Sequence, residues 1–507
     1  MAILERDHPR LNSTLYDANA YRIDDFRRGK MPGLDEVLAA DQFDVVAIGG
    51  LITAYNYIKA AIKRAKQLQP EAKVVVGGGF FTALPTDMLE LIPEIDYGVV
   101  GEAYQTFPQL LEALDRGEEP EYVDGIAYRR RENFEFTKPR TLIPDLDWLP
   151  FPAYEHAPLD IYFRNSGILM SEEAMKAKKR LDYNFSLSCP FVCRFCWDLG
   201  ITSNLKYVTR EGRIEPENGR PTKASVVRQH SPDYVARLVE HLRKDFLDVT
   251  DEDRGIIDPM PGYPIDFVAW FDENIVAHDA QTGFTWLKEI RDELWKRDLI
   301  ADCVKQGRAH DPKICTGIHF GGTSHAGLAT PKVLKTMKEI GFTYCDYGLE
   351  SWDGEILRDL GKGASPERNA NAIKITLECG LAPIPNQIIG FPLETWQTIY
   401  EMLDAWEQTG IATIPFLMTP YPGSEWFTKY RDFIIEQYGG SLERFIMDLE
   451  DATKVTAVIN KNFTPAELVG IQTIMGMAAK TRDFENAKRL LRLSEKEWLR
   501  LRTSLPV

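Results

Sequence analysis

Cys189, Cys193 and Cys196 stand in the stretch Phe185-Ser-Leu-Ser-Cys-Pro-Phe-Val-Cys-Arg-Phe-Cys-Trp197 at a C-x3-C-x2-C spacing. Three thiolates within eight residues can face one metal centre. Four irons held by only three protein thiolates leave one iron open, and an open iron takes a small-molecule ligand as well as passing an electron. Two other readings of the triplet compete: buried thiols, or a zinc site whose fourth ligand lies elsewhere. Zinc usually shows a C-x2-C pair followed by a second pair, and no second pair occurs here. Cys303, Cys315, Cys345 and Cys379 lie singly, mostly near apolar residues, and read as core thiols.

Such a loop must be carried by rigid elements. Tyr183–Leu187 reads as a strand leading directly into it. Further strands are expected at Ile265–Phe271, which runs into Asp272 and Glu273, and at Ile314–Phe320, Tyr344–Ser351, Pro385–Gly390 and Thr413–Thr419. Between them, Ser231-Pro232 caps a helix faced by Val235, Leu238, Val239 and Leu242. Pro331–Ile340, Asn369–Cys379 and Trp396–Gln408 read as helices too. Six strands alternating with helices can close a partial (β/α)6 barrel, with functional groups at the carboxyl ends of the strands. His319, on the strand 314–320, reads either as hydrogen-bonded structure or as a proton donor facing a substrate. The polar stretch Leu205–Arg228 reads as an inserted lid or a disordered loop, and Arg129–Arg131 as a solvated hairpin face.

Upstream, a shorter unit repeats. Asp44–Gly50, Lys73–Gly79 and Tyr97–Glu102 read as buried parallel strands that break into glycines or an acid. They are followed by helices at Ala54–Leu68, Pro85–Leu91 and Phe107–Leu114. This is the pattern of a doubly wound, Rossmann-like sheet, whose ligand crevice lies at the carboxyl ends of its strands. Gly49, Gly50, Gly77, Gly78 and Gly79, with Glu102, would place backbone donors and a carboxylate along that edge.

The cysteine loop resembles the signature of the radical SAM superfamily. That resemblance implies a [4Fe-4S] cluster on Cys189, Cys193 and Cys196 whose open iron holds S-adenosylmethionine (SAM). It also implies Phe195 packing near the adenine. Gly348-Leu-Glu350-Ser351, Leu360-Gly-Lys362-Gly363, Ile389-Gly390-Phe-Pro392-Leu-Glu394-Thr395 and Pro420-Tyr-Pro422-Gly423-Ser424 look like strand-end segments of the same family. By that resemblance Glu350 and Ser351 would hold the ribose or amino group, and Ile388 and Gly390 would let the backbone approach the adenine. The upstream domain is similar to the cobalamin-binding domain of B12-type radical SAM enzymes, through Val74–Gly79 and Asp96-Tyr-Gly-Val-Val-Gly-Glu102. Cobalamin is therefore a candidate third cofactor, held along Gly49, Gly50, Gly78, Gly79 and Glu102. Two departures stand out. Ser13–Asn19 looks like the second strand of that domain, so its first strand and early glycine loop have no counterpart. No D-x-H-x-x-G occurs, since His8 sits in Asp7-His8-Pro9. The expectation is weak cobalamin binding with no protein histidine on cobalt, from a domain that is either reduced or begins further upstream.

The expected organisation is a B12-binding-like domain over 1–123 with its first strand missing, a connector over 124–180, a radical SAM barrel over 181–430 and a helical region over 431–507. The net charge of −16 argues against nucleic acid as a partner. Seven cysteines, an odd number with three clustered, argue for a reducing compartment, and the charged start lacks the apolar stretch of a signal peptide. No uncharged run near the start reaches the length of a membrane span. A cytoplasmic radical SAM enzyme of the methyltransferase or oxidative cyclase type is expected. It would act on a small-molecule or natural-product substrate, with a reductase or a flavodoxin or ferredoxin as electron donor. Cobalamin would favour methyl transfer; without it, radical oxidative cyclisation or rearrangement is the alternative. A non-catalytic iron-sulfur carrier or sensor is the remaining reading, which an open iron and a barrel-sized scaffold disfavour.

Overall fold

A computed structural model describes residues 1–20, 33–164, 176–197, 207–210, 213–216, 227–253, 255–308, 311, 314–450 and 452–504. They form two compact units, Met1–Pro190 with Asp198–Gly322 and Thr336–Thr343, and Phe191–Trp197 with Thr323–Lys335 and Tyr344–Val507.

The first unit opens with a five-stranded sheet in the order β1 (Val45–Gly49), β2 (Lys73–Gly77), β3 (Tyr97–Val99), β4 (Ile126–Arg130) and β5 (Asn133–Phe136). The first three strands are parallel, with Gly49 opposite Gly77, and the last two add antiparallel. Val74, Val75 and Val76 of the central strand are all buried, as a strand covered on both faces requires. The helices Tyr55–Leu68 and Pro85–Leu91 form as their periodicity predicts, and a third, Ala103–Asp115, starts four residues earlier than expected. Arg129–Arg131 does lie on a hairpin, turned at Arg131 with φ +56°, and that hairpin belongs to this sheet rather than to a connector. Ser13–Asn19 is not a strand. Asp17 Oδ1 accepts the backbone N–H groups of Asn19 and Ala20 and starts a helical turn at Ala18, because an aspartate in that position caps more readily than it extends.

The same unit holds β6 (Arg180–Tyr183), β11 (Phe267–Trp270) and β12 (His319–Ser324), parallel to one another. Trp270 packs among Phe185, Trp286, Phe320 and Phe342, so this half of the barrel is filled by aromatic rings. The expected strand at Ile314–Phe320 begins only at His319. Gly317 adopts φ +110°, and Asp302 Oδ1 takes the Thr316 N–H at 2.8 Å, so the chain before it is tied into a turn. The helix Pro232–Asp245 starts as expected, with Ser231 Oγ accepting the Tyr234 N–H at 3.1 Å. Within Leu205–Arg228 the described residues form a hairpin, β8 (Tyr207–Arg210) with β9 (Arg213–Pro216), and a short strand β10 (Arg228–Gln229) that pairs with β7 (Ser186–Leu187). The rest of that stretch lies outside the described residues.

β13 (Phe342–Glu350), which enters the second unit at Tyr344, and that unit's β14 (Ala382–Ile389) and two-residue β15 (Phe416–Leu417) are again parallel. These three and β6, β11 and β12 are the six parallel strands of a partial (β/α)6 barrel. The C-terminal helices Pro465–Thr481 and Phe484–Ser504 pack on each other, and Trp498 leaves no room for a side chain at Gly470. Among the described residues no helix is long and apolar enough to cross a membrane.

Candidate active site

β7 delivers the chain into the cysteine loop through Ser188, a non-glycine residue at φ +79°. Left-handed backbone of this kind persists only where its surroundings hold it. His278 Nε2 lies 2.5 Å from the Ser188 carbonyl oxygen, its Nδ1 bonds to Ser186 Oγ, and Ser186 Oγ bonds to Asp272 Oδ1. Because a carbonyl only accepts, Nε2 carries the proton. Burial lowers His278 to about 4 and raises Asp272 to about 7, while the Ser186 hydroxyl donates to the Asp272 carboxylate. The four groups thus form one connected chain ending on the residue before Cys189. Only Asp272 lay on a signal visible in the sequence, the acids after β11.

In the second unit the rest of the loop is clamped. Cys196 N–H donates to the Cys193 carbonyl at 3.1 Å, a turn that puts these two thiols on one bend. Arg194 between them donates its N–H to the Leu360 carbonyl at 3.0 Å and accepts the Trp426 N–H at 3.1 Å. Its guanidinium lies 2.7 Å from Asp359 and 3.5 Å from Glu425. Phe191 stacks on His325 with 4.1 Å between ring centroids, and His325 Nε2 donates to the Lys362 carbonyl at 2.8 Å. Phe195 turns toward Phe391 and Trp426, with centroids at 6.2 and 6.4 Å. It is thereby brought beside the Gly390 turn. All three loop cysteines are partly exposed, which suits thiolates meant for a cluster rather than core thiols.

Gly390 has φ +95°, and a Cβ there would stand 3.2 Å from Leu468 of the C-terminal region. Its N–H donates to Glu394 Oε2 at 2.5 Å, and Asn460 holds the carbonyls of Phe391 and Glu394. Glu394 is fully buried, and burial raises its carboxyl to about 8. Ile388 is half-buried on β14 opposite Phe416, two residues before that turn. Glu350, at φ +61° after a bulge in β13, is paired with Lys362 at 2.5 Å. Ser351 is buried, and its Oγ accepts the Asp353 N–H at 3.1 Å. A carboxylate already charge-paired with an ammonium can still accept from hydroxyls through its remaining lone pairs.

At the ends of β1 and β2 the glycines meet in the first unit. Gly78 has φ +73°, and a Cβ on it would stand 2.8 Å from the Gly50 carbonyl, so this crossing admits only glycine. Phe80 N–H donates to that carbonyl at 2.9 Å, fixing the Gly78-Gly79 turn. A Cβ on Gly49 would meet nothing closer than 4.0 Å, and one on Gly101 would meet nothing at all. Room is therefore left at the strand ends for the backbone-hugging ligand that such glycines suit. Glu102 is not an open acid: Arg228 forms a bidentate, buried pair with it and also donates to the Ile143 carbonyl at 2.9 Å. That partner is 126 residues away in sequence and gave no signal. His319 lies at the amino end of β12, its Nε2 3.3 Å from Cys303 Sγ, and so stands away from the carboxyl end of its strand.

The B12 binding domain family matches residues 18–111, and the Radical SAM superfamily matches residues 286–405. An uncharacterized methyltransferase of Pyrococcus horikoshii is 27% identical over 385 residues, covering 75% of this chain and 68% of that protein. The anaerobic magnesium-protoporphyrin IX monomethyl ester cyclase of Rubrivivax gelatinosus is 23% identical, covering 78% of this chain and 60% of its own length. Among solved structures, the radical S-adenosylmethionine methyltransferase TsrM of Kitasatospora setae superimposes with a TM-score of 0.52 at 16% identity, over 83% of this chain and 69% of that one. The cobalamin-dependent S-adenosylmethionine radical enzyme OxsB does so with 0.53 at 16% identity, over 79% and 49%. At these identities the two structures speak for the fold.

Proposed function

We propose that this chain, a radical SAM enzyme carrying a B12-binding domain and a radical SAM domain, cleaves SAM reductively at a [4Fe-4S] cluster and transfers a methyl group to an unactivated carbon with the help of cobalamin. Cys189, Cys193 and Cys196 hold the cluster, Phe195 faces the adenine, Ile388 and Gly390 let the backbone approach it, and Glu350 with Ser351 takes the ribose or amino group. The observation that carries this reading is the clamped bend at Cys193–Cys196, which turns Phe195 toward Phe391 next to Gly390. When bound, the cluster supplies the electron that splits the sulfonium of SAM into methionine and a 5′-deoxyadenosyl radical. The chain's own part is to hold the loop still, to exclude water with the aromatic wall of Phe195, Phe391 and Trp426, and to fix the ribose by a carboxylate and a hydroxyl.

Gly49, Gly50, Gly78 and Gly79 would hold cobalamin, with Glu102 acting through Arg228. When bound, cobalamin supplies a carrier for the methyl group. Radical oxidative cyclisation is the second reading, favoured by the likeness to the cyclase over 78% of this chain. The substrate is a small molecule, the electron donor a reductase, flavodoxin or ferredoxin, and the compartment the cytoplasm.

Anaerobic reconstitution with SAM, with and without hydroxocobalamin, separates the two readings. 5′-Deoxyadenosine reports radical cleavage and S-adenosylhomocysteine reports methyl transfer. Formation of both, the second only with cobalamin, supports the methyltransferase reading. 5′-Deoxyadenosine alone under both conditions moves the assignment to cyclisation.

A further inference from the structure

We propose that Cys303, Cys315 and His319, with the Asp302 carboxylate, form a second metal site at the amino-terminal end of β12, suited to a single zinc ion. The ligand atoms of Asp302, Cys303 and Cys315 all lie within 4.8 Å of one another, and His319 Nε2 is 3.3 Å from Cys303 Sγ. A tetrahedral zinc, about 2.3 Å from sulfur and about 2.0 Å from nitrogen, holds sulfur and nitrogen roughly 3.5 Å apart and two sulfurs roughly 3.8 Å apart. The spacing of Cys303 and His319 already matches.

Three segments converge here. The short helix Asp302–Lys305 supplies Asp302 and Cys303, the turn after Asp311 supplies Cys315, and the first residue of β12 supplies His319. They are bound together by the Asp302 N–H on the Thr316 carbonyl at 3.0 Å and the His319 N–H on the Asp266 carbonyl at 2.9 Å. Cys315 Sγ accepts the Asp311 N–H at 3.1 Å, which orients the sulfur. Cys303 and His319 are 1% and 4% exposed, whereas Cys315 and Asp302 reach solvent, so an ion has a way in. Two thiols, an imidazole and one carboxylate are soft and borderline donors that select zinc over magnesium or calcium. On binding, each thiol gives up its proton to the solvent and His319 gives a ring-nitrogen lone pair. The bound ion would tie Cys303 to Cys315 and fix the entry into β12.

The test is zinc per chain in the full-length, anaerobically reconstituted protein, beside C303S, C315S, H319Q and C189A/C193A/C196A variants. Cobalt(II) titrated into the C189A/C193A/C196A variant serves as a spectroscopic probe. The expected result is about one zinc per chain, retained when the triplet is removed and reduced at least tenfold in C303S and C315S, with sulfur-to-cobalt absorption in the probe. Zinc at background, zinc that disappears with Cys189, Cys193 and Cys196, or a Cys303–Cys315 disulfide in place of metal would each overturn the proposal. Should C303S not fold by circular dichroism, half-exposed Cys315 and the cobalt spectrum decide.

Discussion

The Lys362 ammonium lies 2.5 Å from Glu350 Oε1, and Gly348, two residues before the acid, is the position that makes room for the pair. A Cβ on Gly348 would run into both charged groups. Both side chains are almost buried, at 9% and 7% exposure, so removing one breaks a buried ion pair. Such a break costs about 3–5 kcal/mol. E350Q is expected to weaken SAM binding while the cluster spectrum stays intact, and K362M to destabilise the fold as well. Isothermal titration with SAM on the reconstituted variants decides this. Equal affinity in wild type and E350Q assigns the pair to structure alone.

Glu394 sets a pH dependence. Burial raises its carboxyl from 4.5 to about 8, so between those values the folded protein keeps a proton that the unfolded chain has lost. The contribution is fully present below the unfolded value and is lost as pH rises through the folded one. Denaturant midpoints should therefore fall from about pH 5 to about pH 8.5, and E394Q, which stays neutral, should flatten the profile. A wild-type profile no steeper than that of E394Q contradicts this.

The chain Asp272–Ser186–His278–Ser188 predicts that loop geometry is set from below. H278A removes the imidazole that bridges the Ser188 carbonyl and the Ser186 hydroxyl, a loss of about 1–3 kcal/mol for buried groups. Iron uptake on reconstitution should fall together with the thermal midpoint. A variant that melts lower yet fills with iron like wild type would show that the chain supports the fold but not the loop.

For the B12-binding-like domain, G78A forces a side chain into a left-handed turn against the Gly50 carbonyl, which costs about 1–2 kcal/mol before the clash is counted. Hydroxocobalamin titration, followed by spectrum and equilibrium dialysis, should show weak binding to wild type and less to G78A. His8 is engaged with Glu112 at 3.0 Å, so no histidine-on-cobalt spectrum is expected from it. Tight stoichiometric binding to this chain contradicts the expectation of a reduced cradle.

Much of this was legible in the residues. Alternating apolar runs and caps predicted both sheets, and Ser231-Pro232 opened its helix where expected. The cysteine spacing and the segments around Glu350 and Gly390 marked the parts of the site. What was not legible depended on long-range pairing. Ser13–Asn19 read as a strand because the capping by Asp17 competes with a ladder only once the turn has formed. The strand 314–320 started late because Gly317 and the Asp302 carboxylate hold its first half in a turn. Arg228 against Glu102, and His278 beneath Ser188, join residues some 90 to 126 positions apart, and no local pattern encodes such a meeting.

The most direct test of the central claim is SAM cleavage by the anaerobically reconstituted, dithionite-reduced protein, with 5′-deoxyadenosine and methionine quantified beside the C189A/C193A/C196A variant. The account predicts both products from wild type, about four irons bound per chain, and neither product nor cluster in the variant. A wild-type protein that holds its cluster and leaves SAM intact, or a variant that still cleaves it, would contradict the account.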